Sequence, residues 1–147
     1  MTLVLLKFVA TLAAALFAGA ALYINLVEHP ARMTLETRFA ALQWNESYRR
    51  ATWMQAPLAL VSFLAGLGCW VLGAGGGWAF AAVLIGAVVP FTLFGVMPAN
   101  RTLLTPGRDL TSIETRDLLR RWTRLHAVRT VLGCAASVLF LSVALVS

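Results

Sequence analysis

The chain has 147 residues, of which 60% are hydrophobic and 12% charged. A soluble domain carries about 25% charged residues, so this composition excludes an ordinary water-soluble protein, and the length suits one domain over residues 1–147. The net charge of +6 comes from 12 Lys and Arg against 6 Asp and Glu, and the basic residues lie between apolar runs rather than on a soluble basic surface, which argues against nucleic acid as a partner.

The first apolar run, Leu3–Val27, is long enough to cross a bilayer core, which takes roughly 20 residues as a helix. A backbone in lipid must satisfy its own hydrogen bonds, so the run is helical. It continues apolar through Leu22, Tyr23 and Ile24 and has only Lys7 as a basic flank, which speaks against a cleaved signal peptide. Ala14 with Ala18, and Ala15 with Gly19, have the small-xxx-small spacing that lets helices approach closely, read here as packing within the molecule. At the end of this run Asn25, Glu28, His29 and Arg32 fall at i, i+3, i+4 and i+7 and form one polar stripe.

The segment from Thr34 to Gln55 has no Gly or Pro and predicts an amphipathic helix lying at the cytoplasmic surface. Leu35, Phe39, Leu42 and Glu46 share one face, and Trp44 and Tyr48 another. This helix merges into a second span, Trp53–Leu72, followed by a Gly73–Gly77 turn and a third span, Trp78–Val96. Pro57 and Pro90 predict kinks. A loop is expected from Pro98 to Thr111, then a helix starting at Thr111 with a Thr111–Glu114 capping box and running straight into a fourth span, Ala127–Val146. The fold class is therefore all-α: a four-helix transmembrane bundle with an added cytoplasmic amphipathic segment and a long fourth helix. Trp53 and Trp122 fit an inner aromatic belt, and Trp70 and Trp78 an outer one. Cys69 and Cys134 differ in depth by about ten residues, on the order of 15 Å, too far for a disulfide, and read as packing residues.

Eleven of the 12 basic residues lie between spans one and two or between spans three and four. The positive-inside rule puts both segments in the cytoplasm and both termini outside, in a multi-pass protein of the inner (plasma) membrane. The only two histidines then emerge on the same side. His29 sits on the stripe of the first helix. Trp122, His126 and Arg129 form a matching stripe on the last. Asn100 lies at a similar depth after span three, and Tyr48 and Gln55 approach from the second helix.

Ionisable groups at a membrane edge face the bundle or water, because lipid would not solvate them. Two readings follow. In the first, the groups form a structural clasp in a non-enzymatic membrane subunit or ligand-binding module, with Glu28 paired to Arg129 and the histidines donating to carbonyls or to Asn100. In the second, they form a reactive site, where an imidazole takes a proton from an acidic carbon or phenol and an arginine stabilises the anion. A clasp consumes its polar groups and leaves no cavity, whereas an enzyme leaves a pocket on the order of a few hundred Å³. Glu28, His29 and His126 could also supply an iron-type facial ligand set, although no HxxxH or ExxH spacing is present.

The segments Leu22-Tyr23-Ile24-Asn25-Leu26-Val27-Glu28-His29-Pro30-Ala31-Arg32, Ser47-Tyr48, Met97-Pro98-Ala99-Asn100, Arg121-Trp122 and Leu125-His126-Ala127-Val128-Arg129-Thr130 resemble a bacterial branch of the anthrone-oxygenase-like membrane family, a family largely of unknown function. The resemblance covers nearly the whole chain. Its fungal branch oxidises anthrones to anthraquinones with dioxygen in aromatic polyketide pathways. The resemblance implies a small hydrophobic aromatic or phenolic substrate and a reaction that requires no metal or other cofactor. His126 or His29 would be the base, Arg129 would steady the anion and Glu28 would tune one histidine. Tyr48, Trp122 and Asn100 would orient the ring, with Asn25 and Gln55 completing the substrate set.

Overall fold

The computed structural model describes residues 1–146. Four helices are long and apolar enough to cross a membrane: Thr2–Arg32, Thr37–Val71, Gly76–Leu103 and Ile113–Val146. No strand occurs among the described residues. The protein is a multi-pass membrane bundle, as its hydropathy predicts. The second and fourth helices have 35 and 34 residues, so each is roughly 50 Å long and projects beyond a hydrocarbon core of about 30 Å.

Small residues bring the helices together. Ala10, Ala14 and Ala18 are buried on the first helix, while Ala15 and Gly19 face outward. The buried Ser62 hydroxyl of the second helix donates to the Ala10 carbonyl at 2.9 Å. Glycines receive phenylalanine rings from neighbouring helices: a Cβ on Gly66 would lie 2.7 Å from Phe140, on Gly86 2.7 Å from Phe63, and on Gly133 2.7 Å from Phe17. This packing replaces the hydrophobic drive that helices lose inside lipid.

Two π-turns interrupt the regular helices, at Ile24–Glu28 and Thr92–Val96. Each is closed by a residue that precedes a proline, His29 before Pro30 and Met97 before Pro98, whose N–H bonds five residues back to Ile24 and Thr92. A proline in a helix lacks its own N–H and crowds the carbonyl four residues back. The wider turn accommodates both defects without ending the helix. A third break, at Ala87, lies three residues before Pro90. Pro57, by contrast, sits inside a continuous helix.

Several local expectations are corrected. Helix continues through Met97–Leu103, so the loop starts at Leu104 rather than Pro98. Pro98 falls in the first turn of that segment, where an N–H is not needed. The second helix starts at Thr37 rather than Thr34, because Thr34 and Leu35 bond back to the first helix's end. The fourth helix is capped by Ser112, whose oxygen accepts the Thr115 N–H at 3.2 Å. Thr111 is already engaged, its N–H and hydroxyl both donating to the Asp109 carboxylate, and these bonds hold that carboxyl below its usual pKa. Trp53 and Trp70 are exposed as belt residues should be, but Trp78 and Trp122 are buried in the core, 1% and 4% exposed. Cys69 and Cys134 are free thiols.

The loop side of the bundle is tied by Arg116, whose guanidinium donates to the carbonyls of Met33 and Leu35 just past the first helix. A cation at a helix C-terminus satisfies its open carbonyls and complements its dipole. This tie holds the first and fourth helices in the register that brings their polar stripes together.

Candidate functional site

The stripes of the first and fourth helices meet around Trp122. The indole lies 5.2 Å from the His29 ring and 4.8 Å from the His126 ring, nearly stacked on the latter. Its N–H donates to the Asn100 Oδ1 of the third helix at 2.8 Å. Trp44 of the second helix stands edge-on to Trp122 at 5.9 Å and stacks on Tyr48 at 5.1 Å. All four helices thus contribute to one aromatic and polar cluster, and both histidines are buried, 2% and 1% exposed.

The hydrogen bonds give the two imidazoles different roles. The Asn25 amide nitrogen donates to the Thr123 carbonyl, and the Thr130 hydroxyl donates to Asn25 Oδ1. Both contacts orient the amide so that its oxygen faces His126 Nδ1 at 2.5 Å. An amide oxygen only accepts, so His126 carries its proton on Nδ1 and keeps a lone pair on Nε2. His29 is the opposite case. Its Nδ1 lies 3.0 Å from Nη1 of Arg32. A guanidinium only donates, so Nδ1 is the acceptor and the ring proton sits on Nε2.

Arg32 also pairs with Glu28 at 2.5 Å and donates to Gln43, while Ser47 and Gln43 donate to the same Glu28 oxygen. The Glu28–Arg129 pairing expected of a clasp is therefore corrected. Arg32 lies one turn away on the same helix, whereas Arg129 lies deeper and donates to Gln55 Oε1 at 3.0 Å. Among the described residues no three His, Cys, Asp or Glu side chains gather to hold a metal ion, so Glu28, His29 and His126 do not form the facial set that their residue types suggested.

Two chambers adjoin the cluster. The inner one holds about 20 Å³ and is lined by Arg32, Tyr48, Gln55, Trp122, His126 and Arg129, with Trp44 and Ser47 completing its polar end. That is room for about one water-sized molecule. The outer one holds about 210 Å³ and lies between the second and third helices, walled by Ala56, Ala59, Val88, Val89, Leu93 and Met97. Tyr48, Thr52, Gln55 and Arg129 line both. Asn25, Glu28, His29 and Asn100 line neither.

The boundary between the chambers is short of partners. Gln55 must present Oε1 to the arginine, which leaves its buried Nε2 without a hydrogen bond, and Arg129 Nε is likewise unpaired. Both groups are donors only. A buried donor without an acceptor costs about 1–3 kcal/mol, and His29 Nε2, Trp44 Nε1 and Asn100 Nδ2 in the same cluster are likewise unpaired. Trp44, Ser47 and Thr52 also line the chambers, although sequence reasoning gave none of them a role in the site. The Trp44–Tyr48 face of the second helix, with Trp44 buried and Tyr48 half-buried, was the available signal for the first of them.

Phe17 supports Arg129 from below, with the guanidinium 5.9 Å over its ring. Phe17 reaches that place only because position 133 is glycine. Gly133→Ala is expected to displace the ring and cost about 1–3 kcal/mol, measured by reversible unfolding in detergent. A loss smaller than about 0.5 kcal/mol, within the range of neutral surface changes, would show that the ring moves freely.

A family model described as anthrone oxygenase matches residues 44–139, from the second helix to the fourth. No curated protein and no solved structure shows a match.

Proposed function

The chain belongs to the anthrone oxygenase family, and on that premise we propose that it oxidises a lipophilic aromatic or phenolic substrate with dioxygen at the two-chamber site. The observation that carries this reading is the pair of unpaired donors, Gln55 Nε2 and Arg129 Nε, at the junction of a ring-sized apolar chamber and a chamber the size of a diatomic molecule.

An anthrone has an acidic methylene opposite a carbonyl, flanked by two rings. With the ring system in the outer chamber and the oxygen of its enol tautomer against Arg129 and Gln55, the enol hydroxyl faces the inner chamber, which His126 lines. Nε2 of His126 takes the hydroxyl proton, and the negative charge, shared between that oxygen and the carbon opposite, is stabilised at the oxygen by the two donors. The electron-rich anion passes one electron to dioxygen. The carbon radical and superoxide then combine to form a C–O bond, and protonation gives a hydroperoxide. Loss of the second methylene proton with cleavage of the O–O bond yields the new carbonyl and one water. Dioxygen is the only oxidant, and its two atoms end in the quinone and in the water.

In this reading His126 is the base, Arg129 and Gln55 bind the oxyanion, Tyr48 bounds the ring, and Trp122 walls the inner chamber. Asn25 fixes the His126 tautomer, and Asn100 holds Trp122 in place. Glu28, Arg32 and His29 form the scaffold beside them. The arginine-rich segments face the cytoplasm, so the site opens near the inner face of the membrane.

The test is oxygen uptake by purified, membrane-embedded protein supplied with anthrone, with quinone formation followed by absorbance. One oxygen consumed per quinone formed is expected. Equal rates from wild type and a His29→Ala/His126→Ala double variant would sink the assignment.

A further inference from the structure

We propose that the outer chamber is a lateral portal, through which a bilayer-dissolved ligand with a ring-sized apolar body and one hydrogen-bond-accepting oxygen slides between the second and third helices. This rests on the reading of the chamber boundary as a ligand site. It adds a route and a recognition rule that the family assignment does not supply.

The portal has a cause in the sequence. As far as Gly86 the third helix packs closely along the second, with Phe63 seated where a Gly86 Cβ would be. Pro90 crowds the Gly86 carbonyl, and the helix breaks at Ala87. Beyond that break the third helix keeps little contact with the second and turns onto the fourth. The wedge left between them is the outer chamber.

Its walls and mouth suit lipid rather than water. Ala56, Val89 and Leu93 belong to the chamber wall and are also exposed on the outer surface of the bundle. No acidic or basic side chain lines the chamber except Arg129, at its inner end. The about 210 Å³ volume falls below the ~300–1,000 Å³ of sites that enclose drug-sized ligands, so a larger ligand would leave its tail in the bilayer. The inner chamber has room for one small molecule only, so a ring-sized body cannot pass through it. The two chambers thus sort their occupants by size and polarity. At the meeting point the free groups are the donors of Gln55 and Arg129, so a bare hydrocarbon gains nothing there and an oxygen acceptor does.

The experiment uses the full chain in lipid nanodiscs without oxygen, with 1-hydroxyanthracene and anthracene as matched probes. Binding is read by stopped-flow quenching of tryptophan fluorescence. Hydroxyanthracene is expected to bind saturably and at least about tenfold more tightly than anthracene, a preference that the double variant Gln55→Leu/Arg129→Met abolishes. Ala56→Phe narrows the portal and is expected to slow association at least about tenfold. Met54→Phe, in the groove between the first and second helices that shares no lining residue with the outer chamber, should leave association unchanged. Val89→Phe, at the half-exposed rim, serves should Ala56→Phe not fold. Wild-type association in both portal variants, or no preference for the hydroxylated probe, overturns the proposal. Hydroxyanthracene binding slowed by the portal variants, without oxygen uptake on anthrone, would defeat the oxidation reading and leave the portal standing. Oxygen uptake undiminished in the portal variants would do the reverse.

Discussion

His126→Ala is expected to lower anthrone-dependent oxygen uptake by about 10²–10⁴-fold, the usual contribution of a general base, while His29→Ala lowers it far less. The two rings look equivalent in the sequence, each at the junction of an apolar span and a charged segment. They differ in what their nitrogens meet. The Asn25 oxygen fixes the His126 proton on Nδ1, so the lone pair on Nε2 belongs to a ring that lines the inner chamber. Arg32 occupies the acceptor nitrogen of His29, so that ring has no lone pair to offer, and it lines neither chamber. The loss in His126→Ala should fall on kcat rather than on probe affinity, because Arg129 and Gln55 still bind the substrate oxygen. Asn25→Leu should reproduce part of the loss by freeing the tautomer. A His29→Ala variant as slow as His126→Ala would overturn the assignment of the base.

The bundle was legible because its signals are strong and periodic. Four long apolar runs have one helical solution in lipid, and the polar stripe at Asn25, Glu28, His29 and Arg32 follows from helix geometry alone. The pairing within the stripes was not legible. Glu28 could reach Arg129 or Arg32, and only the depth of Arg129 beside Gln55 decides between them. Trp122 read as a belt residue because indoles favour interfaces, yet its N–H finds Asn100 inside the bundle. The cap fell on Ser112, whose oxygen accepts the Thr115 N–H, while Thr111 turns its N–H and hydroxyl to the Asp109 carboxylate. The chambers were invisible because they depend on where the third helix goes after Ala87. Pro90 announced a kink, but not its direction.

The largest expected stability effect concerns Glu28, and it separates a scaffold role from a catalytic one. The Glu28–Arg32 pair is asymmetric, since the arginine side chain is 1% exposed and the carboxylate 20%. Removing one partner of a buried pair costs about 3–5 kcal/mol, because the remaining charge is left without compensation. Glu28→Ala strands the deeper charge and should cost that amount. Arg32→Met leaves a carboxylate that still reaches water and still accepts from Ser47 and Gln43, so it should cost only about 1–2 kcal/mol. The double variant Glu28→Ala/Arg32→Met should be more stable than Glu28→Ala alone, since it removes the stranded charge. Reversible unfolding in detergent gives all three values, and a costlier Arg32→Met than Glu28→Ala would contradict the burial argument. The same proteins report on chemistry. Glu28 lines neither chamber, so turnover per folded molecule in Glu28→Ala should stay within about tenfold of wild type, below the loss expected of a proton-transferring group. A larger loss at full folding would place Glu28 in the reaction itself, as its position beside His29 in the sequence first suggested.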